Sequence, residues 1–180
     1  MQIKFCGAAK GVTGSCHLLD NGTTKILIDC GAFQGSDEEE ARNRESFPFD
    51  PAEIDYVLCT HAHFDHVGRL PLLVKKGFKG RILSTQPTRD LARVVLEDAA
   101  HIQEEELKRW DARFAGKEPN ENNPRPEIMY DADDVSQTLR LFDVYPLGMS
   151  ISLTKEIEVR MRDSGHILGS VSFAESSSDL

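Results

Sequence analysis

Short apolar runs along the first third of the chain predict strands joined by tight turns. Ile3 to Phe5, Ser15 to Leu19 and Lys25 to Ile28 are the first three such runs. Asp20-Asn21-Gly22 separates the last two, and Asn-Gly favours a hairpin because both residues adopt positive φ at low cost. A fourth run, Tyr56 to Thr60, lacks alternation, as expected of a strand covered on both faces.

Helical periodicity dominates the middle of the chain. Val67 to Lys76 predicts a short helix, and a long helix is predicted to begin at Thr88, a favourable N-cap residue. Asp131 to Phe142 predicts another helix. Strands mixed with helices in this order indicate a layered α/β fold in which helices cover a sheet. We expect four apolar residues at helical spacing to form the buried face of the long helix: Leu91, Val95, Ala99 and Ile102.

The last part of the chain predicts a sheet that lacks a strand. Ser150 to Thr154, Glu158 to Arg162 and Ser170 to Ala174 read as strands. Glu175 to Asp179 then reads as a hairpin turn, so its partner strand would lie beyond the sequence. We therefore expect a truncated domain with an unpaired sheet edge, through which it could self-associate.

Composition narrows the class of protein without defining its activity. The 180 residues are 39% apolar and 28% charged, as in an ordinary globular domain. We find no apolar run of membrane-spanning length and no signal peptide, and the four cysteines form no C-x-x-C pair. These features predict a cytoplasmic protein with reduced thiols. The net charge of −9 argues against broad attraction to nucleic acid, so any RNA binding would depend on local features or metal ions.

Four potential metal ligands lie within six residues, directly after the fourth predicted strand. His61 and His63 are two positions apart, so in extended backbone they project to the same side. Asp65 and His66 follow where the chain turns toward a helix, and they can face a second point nearby. Imidazole and carboxylate are ligands that zinc accepts in sites that also hold water. This density of ligands predicts a metal site.

The segment His61-x-His63-x-Asp65-His66 resembles the signature of the metallo-β-lactamase superfamily. The flanking motifs are Phe5 to Cys16, Ile28 to Gly31, Phe33 to Gly35, Val67 to Pro71 and Ser164 to Ser170. They are similar to the superfamily's RNA-processing branch, the β-CASP family, which includes the nuclease subunit of the mRNA cleavage and polyadenylation factor. The resemblance implies an α/β fold of the αββα sandwich type, incomplete at its C-terminus. Residues 1–180 would be the N-terminal part of the metallo-β-lactamase domain, with the β-CASP domain and the C-terminal completion absent.

The resemblance also implies a ligand set for two zinc ions. His61, His63 and His166 would hold one zinc, and Asp65 and His66 would hold the other. The family's bridging aspartate lies after the missing strand, and we do not assign Asp179 to that role. We therefore expect one zinc or fewer in this chain.

Two carboxylates are the candidate catalytic residues. Asp65 would accept a hydrogen bond from the attacking water, and Asp29 would accept one from a ligand histidine and fix its tautomer. Two zinc ions can activate a water molecule for attack on a phosphodiester. The resemblance implies that the intact protein uses this chemistry to hydrolyse RNA. Because the ligand set is incomplete, we expect little or no ribonuclease activity from this chain alone.

Two alternative functions remain open from the sequence. A small-molecule hydrolase of the same superfamily, such as a thioesterase or lactonase, would explain the acidic charge more easily. Phe33 to Gly35 and Gly165 to Gly169 resemble the RNA branch instead. A non-catalytic metal-binding scaffold is the second alternative. Such relatives typically lose ligands, whereas all five that this stretch could carry are present.

Overall fold

Two β-sheets form the centre of the molecule. The computed structural model describes residues 1–120 and 123–177. The larger sheet contains β1 (Gln2–Phe5), β2 (His17–Asp20), β3 (Lys25–Ile28), β4 (Tyr56–Leu58), β5 (Arg81–Ser84) and β6 (Phe142–Val144), in that spatial order. The smaller sheet contains β7 (Ser150–Ser152), β8 (Ile157–Asp163) and β9 (Val171–Ser177).

Strand direction in the larger sheet changes from antiparallel to parallel at β3. The strands β1, β2 and β3 form an antiparallel meander, and β3 through β6 are parallel. The predicted hairpin at Asp20-Asn21-Gly22 joins β2 to β3, and the Asn21 side chain accepts the N–H groups of Thr23 and Thr24. Because β3, β4 and β5 are parallel, the loops that follow them meet at one edge of the sheet.

Five helices accompany the described strands: α1 (Asp37–Ala41), α2 (Phe64–Val67), α3 (Leu70–Lys75), α4 (Gln86–Arg113) and α5 (Ala132–Leu139). Single 3₁₀ turns occupy Arg42–Arg44 and Pro51–Glu53. The helix predicted from Val67 to Lys76 corresponds to α3, which begins only at Leu70. Val67 is instead the last residue of α2, and Gly68 and Arg69 separate the two helices. Among the described residues, no helix combines the length and apolar character needed to cross a membrane.

The buried face of α4 differs from the predicted one by one position. Ile102, which we expected to be buried, is 47% exposed, and the other three predicted residues are only partly buried. Apolar residues are spread around much of this helix, with Val94 also exposed, so periodicity alone selects its face poorly. Packing against the sheet selects a face of mostly small residues: Thr88, Ala92, Leu96 and Ala100.

The helix predicted to reach Phe142 ends at Leu139 instead. Phe142 begins β6, where it pairs with Ile82 of β5, and the Ile82 N–H donates to the carbonyl of Leu141. Phe142 lies in helical phase with Val135 and Leu139, so local periodicity favoured the wrong element. Pairing with an already buried strand outweighs that local preference.

The predicted hairpin turn near the end of the chain is also wrong at its first residues. Strand β9 continues through Ser177, which pairs with Ile157 of β8. Asp179, which we placed in the turn, lies outside the described residues.

Alternation along the larger sheet divides the core into two layers. Leu27, Val57 and Ile82 point to the face covered by helices, and their neighbours on the same strands point to the smaller sheet. That second layer contains Ile26, Leu58 and Leu83 of the larger sheet, facing Val159 and Met161 of the smaller one. The predicted α/β class is confirmed as two stacked sheets with helices on the outer face of the larger one.

Candidate metal centre

The candidate site lies where the loops after β3 and β4 meet. Backbone hydrogen bonds join these loops: Cys30 N–H donates to the carbonyl of His66, and Ala32 N–H to that of Phe64. Ser15 N–H, just before β2, donates to the carbonyl of Asp65. Gly31 allows this close approach, because a Cβ there would lie 1.6 Å from the Asp65 carbonyl oxygen. The segment from Thr60 to His66 is therefore held by its backbone.

Asp29 occupies the centre of the hydrogen-bond network behind the histidines. It follows β3 directly, is 2% exposed and has a φ of 58°. Its carboxylate accepts the backbone N–H of Thr60 at 2.8 Å and the Thr60 hydroxyl at 2.8 Å. It also accepts His66 Nδ1–H at 2.7 Å. The expected hydrogen bond between Asp29 and a histidine of the cluster is present, and the histidine is His66.

Thr60 extends the Asp29 network to a second histidine. Its Oγ1 lies 2.9 Å from His61 Nδ1. Since the Thr60 hydroxyl proton points to the carboxylate, the oxygen accepts the proton on His61 Nδ1. His61 Nε2 is then unprotonated and keeps its lone pair for another partner. Sequence reasoning missed Thr60, although a hydroxyl residue directly before the histidine cluster was a visible signal.

Three histidine nitrogens converge next to this network. His63 Nδ1 lies 3.1 Å from His61 Nε2 and 3.1 Å from His166 Nε2. The three ligand atoms all lie within 4.8 Å of one another. Two Zn–N bonds of about 2.0–2.1 Å at a tetrahedral angle would separate their nitrogens by roughly 3.3 Å. The donor set and the distances thus fit a metal ion, and His61 Nε2 offers a lone pair to it.

Asp65 and His66 form a pair beside the three converging histidines. The His66 Nε2 lies 3.7 Å from Asp65 Oδ2, and the His66 ring centroid lies 3.9 Å from that of His61. Since His66 Nδ1 is bound to Asp29, its Nε2 remains free to face Asp65. The structure brings all six predicted site residues together, and their roles as ligands or catalytic groups stay predictions.

Burial and hydrogen bonding set the protonation of two histidines differently. Burial lowers the pKa of His61 to about 4, and the neighbouring His66 contributes to this shift. Burial also acts to lower the pKa of His66, but the hydrogen bond to Asp29 and the charges of Asp29 and Asp65 outweigh it and raise the pKa. His61 is therefore neutral at pH 7, which is the form that binds metal.

His166 reaches the site from a turn between β8 and β9, 103 positions after His63. Within the turn, the Ser170 hydroxyl accepts the backbone N–H groups of His166 and Ile167, both at 3.1 Å. The carbonyl of Gly169 contacts the hydroxyls of Thr85 and Thr88 at the start of α4. Sequence reasoning missed both threonines as part of this site, because they are distant from His166 along the chain.

Comparison with known proteins assigns the family. The family model described as the Metallo-beta-lactamase superfamily matches residues 9–135, well over half of the chain. The chain belongs to the metallo-β-lactamase superfamily. The predicted resemblance to this superfamily is thereby confirmed.

Curated relatives of this superfamily member are named for work on RNA or transcription. Ribonuclease TTHA0252 of Thermus thermophilus is 53% identical over 105 residues, covering 58% of this chain and 24% of the relative. Transcription termination factor FttA of Methanosarcina mazei is 34% identical over 175 residues, covering 94% and 24%. Probable RNase MJ4 of Methanocaldococcus jannaschii is 30% identical over 173 residues, covering 96% and 35%. The chain thus spans about a quarter to a third of these relatives.

Solved structures support the fold at lower sequence identity. A B3 metallo-beta-lactamase with an active site glutamic acid matches with a TM-score of 0.51 and 17% identity, over 94% of this chain and 53% of that one. MEM-A1, a subclass B3 enzyme from a soil metagenome library, matches with a TM-score of 0.51 and 19% identity, over 93% and 53%. This likeness extends the shared fold to nearly the whole chain.

Proposed function

We propose that this domain serves in zinc-dependent hydrolysis of RNA phosphodiesters. The observation that carries the proposal is the convergence of His61, His63 and His166 on one point, with Asp65 and His66 beside it. Neutral imidazoles with a carboxylate nearby suit zinc in a site that also binds water. The names of the ribonuclease relatives favour RNA as the substrate.

The chain's own residues have distinct roles in this proposal. Asp29 and Thr60 orient His66 and His61 by hydrogen bonds to their Nδ1 atoms, which leaves Nε2 of each ring available. The Asp65 side chain is partly exposed at the site, so it can accept a hydrogen bond from the attacking water. Bound zinc would lower the pKa of a water molecule and polarise a phosphoryl oxygen.

We infer that residues 1–180 are the N-terminal part of the metallo-β-lactamase domain of a longer protein with a β-CASP domain. The small share of each relative that the chain spans supports this. The chain alone then offers three ligands at one metal position and two at the other, so we expect one zinc or fewer and little or no ribonuclease activity. Cytoplasmic location and self-association through an unpaired sheet edge stay predictions.

A small-molecule hydrolase remains the main competitor for the substrate. It uses the same metal ligands, so the site geometry alone does not separate it from a ribonuclease. The relatives favour the ribonuclease, since those with 53% and 30% identity are both named as ribonucleases.

The zinc content of the purified chain tests the metal site. Elemental mass spectrometry against an independent protein concentration should give about one zinc per chain, lost on replacing His63 with Ala. A value near two would mean that another group completes the second position, and the expected inactivity of the chain would be wrong. No zinc at micromolar metal would refute the site.

The substrate class is tested on the full-length protein that carries this chain. It should cleave single-stranded RNA and leave thioesters and lactones intact, and Asp65→Asn should abolish the cleavage. Preferential hydrolysis of an ester would show that the protein is a small-molecule hydrolase and not a ribonuclease. Normal RNA turnover by the Asp65→Asn variant would remove Asp65 from the mechanism.

A further inference from the structure

The turn that carries His166 has few contacts with the rest of the described molecule. His166 itself and most residues of the turn are exposed. The Val171 N–H donates to the carbonyl of Thr60 at 2.9 Å, which fixes the point where β9 begins. Before that point, the Gly169 carbonyl accepts hydrogen bonds from α4. The hydrogen bonds to this carbonyl therefore help to fix the position of the turn.

Two buried threonines bind that carbonyl. The Gly169 oxygen lies 2.7 Å from Thr85 Oγ1 and 2.8 Å from Thr88 Oγ1, and the two hydroxyls are 3.0 Å apart. Each hydroxyl has one proton to donate. The N-cap of α4 is Thr85 and not the predicted Thr88, and Thr85 Oγ1 accepts the backbone N–H of Thr88. When the Thr85 hydroxyl donates its proton to Thr88 Oγ1, the Thr88 proton is directed to the Gly169 carbonyl.

The turn transmits this anchoring to His166. The Ser170 hydroxyl accepts two N–H groups, those of His166 and Ile167, and the Ser170 N–H donates to the Ile167 carbonyl. Ser170 is 2% exposed and adjoins Gly169. The residues from His166 to Ser170 thus form one hydrogen-bonded unit, so displacement of Gly169 displaces the imidazole of His166.

The approach of the turn to α4 also depends on the absence of a side chain at Gly169. Its φ is +81°, and a Cβ there would lie 2.7 Å from Thr85 Oγ1 and 2.8 Å from the backbone nitrogen of Thr88. Neither neighbour is the flexible end of a long side chain. The contact is therefore close enough for a single methyl group to disturb it.

We propose that Thr88, with Thr85, is a positioning residue that holds His166 in place to complete the three-histidine metal site. This inference rests on the proposed metal function of that site. Groups that support metal ligands typically contribute 10- to 100-fold to metal affinity. The hydroxyl of Thr88 affects the metal only indirectly, through the Gly169 carbonyl and the turn that carries His166.

The test measures zinc affinity of the full 180-residue chain by competition with a chromophoric chelator. Thr88→Val keeps the shape of the side chain but removes the hydroxyl, and it should weaken zinc binding about 10-fold. Thr88→Ser restores the hydroxyl and should restore the affinity. In a His166→Ala background, Thr88→Val should change nothing further, because the residue through which it acts is gone.

A second readout guards against a general loss of structure. The absorption spectrum of bound Co²⁺ reports coordination at the site, and Thr88→Val should alter it in the same way as His166→Ala. If Thr88→Val prevents folding, Gly169→Ala tests the same contact from the side of the turn. Gly165→Ala is its matched control, since Gly165 also has positive φ but a Cβ at that position would meet nothing within 4 Å.

Three results would overturn the inference. Unchanged zinc affinity in Thr88→Val is the first, and an equal loss with and without His166 is the second, because it would make the role purely structural. Equal zinc affinity in Gly169→Ala and Gly165→Ala is the third. If the unsubstituted chain binds zinc normally in these cases, only the inference fails; if it binds none, the proposed function fails as well.

Discussion

The two regions that supply the histidines are held in different ways. The segment from Thr60 to His66 is joined by backbone hydrogen bonds to Ser15, Cys30 and Ala32, and the buried Asp29 carboxylate supports it from behind. The turn carrying His166 is mostly exposed, and two threonine hydroxyls hold its Gly169 carbonyl. The first region is part of the folded core, whereas the second is anchored to it by a few contacts.

This difference separates stability from metal binding. Substitutions of residues that support the segment from Thr60 to His66 disturb loops that are packed into the fold. They should therefore affect folding as well as the site. Changes at the turn should affect the metal site while leaving most of the fold intact. Ligands close together in sequence share a backbone that places them jointly, whereas a distant ligand depends on the tertiary contacts of its own loop.

The largest expected effect is on stability, from Gly31→Ala in the first region. A Cβ at Gly31 would lie 1.6 Å from the Asp65 carbonyl oxygen and 2.6 Å from the His66 nitrogen, so the backbone must move. We expect a loss of about 3 kcal/mol or more in the free energy of unfolding, measured by urea denaturation. Gly11→Ala is the control, because nothing lies within 4 Å of a Cβ there. Equal midpoints for the two variants would contradict a tightly packed first region.

A smaller effect, on zinc affinity, is expected from Asp29→Asn. Asparagine tolerates the positive φ of this position but lacks the charge that holds Thr60 and His66. Zinc affinity should fall about 10- to 100-fold by chelator competition. The exposed Asp133 provides the control, and Asp133→Asn should bind zinc as the unsubstituted chain does. An unchanged affinity in Asp29→Asn would remove its support of the ligands.

The smallest effect is a difference in pKa between the neighbouring imidazole rings of His61 and His66 in the metal-free chain. NMR with a chelator present should give His61 a pKa of about 4, because it is buried, and His66 a pKa above its ordinary value. The stability that His66 contributes is present below its unfolded pKa of about 6.5 and is lost as pH rises through its folded pKa. The contribution of His61 is present above about pH 6.5 and is lost as pH falls toward 4. Equal pKa values for both rings would refute the Asp29 network.

Local sequence was enough for some elements and insufficient for others. The hairpin at Asn21-Gly22 was predictable because its turn chemistry is local, as were β3 and β4 from their apolar runs. The end of α5 was not, since Phe142 continues the helical phase and only pairing with Ile82 makes it a strand. The face of α4 was misjudged for a similar reason, because the sheet packs against small residues that carry little hydrophobic signal.

The sequence by itself determined which candidate metal ligands this protein carries: a dense set of histidines and an aspartate after a buried strand, in a pattern that resembles the metallo-β-lactamase superfamily. The tertiary structure decided which groups support them. Thr60 links Asp29 to His61, and Thr85 and Thr88 hold the turn of His166. The physical reason is that the candidate ligands of the histidine cluster lie within a few residues of one another, so their pattern is visible in the sequence. Hydrogen bonds between distant segments form only once the sheets and α4 have packed together.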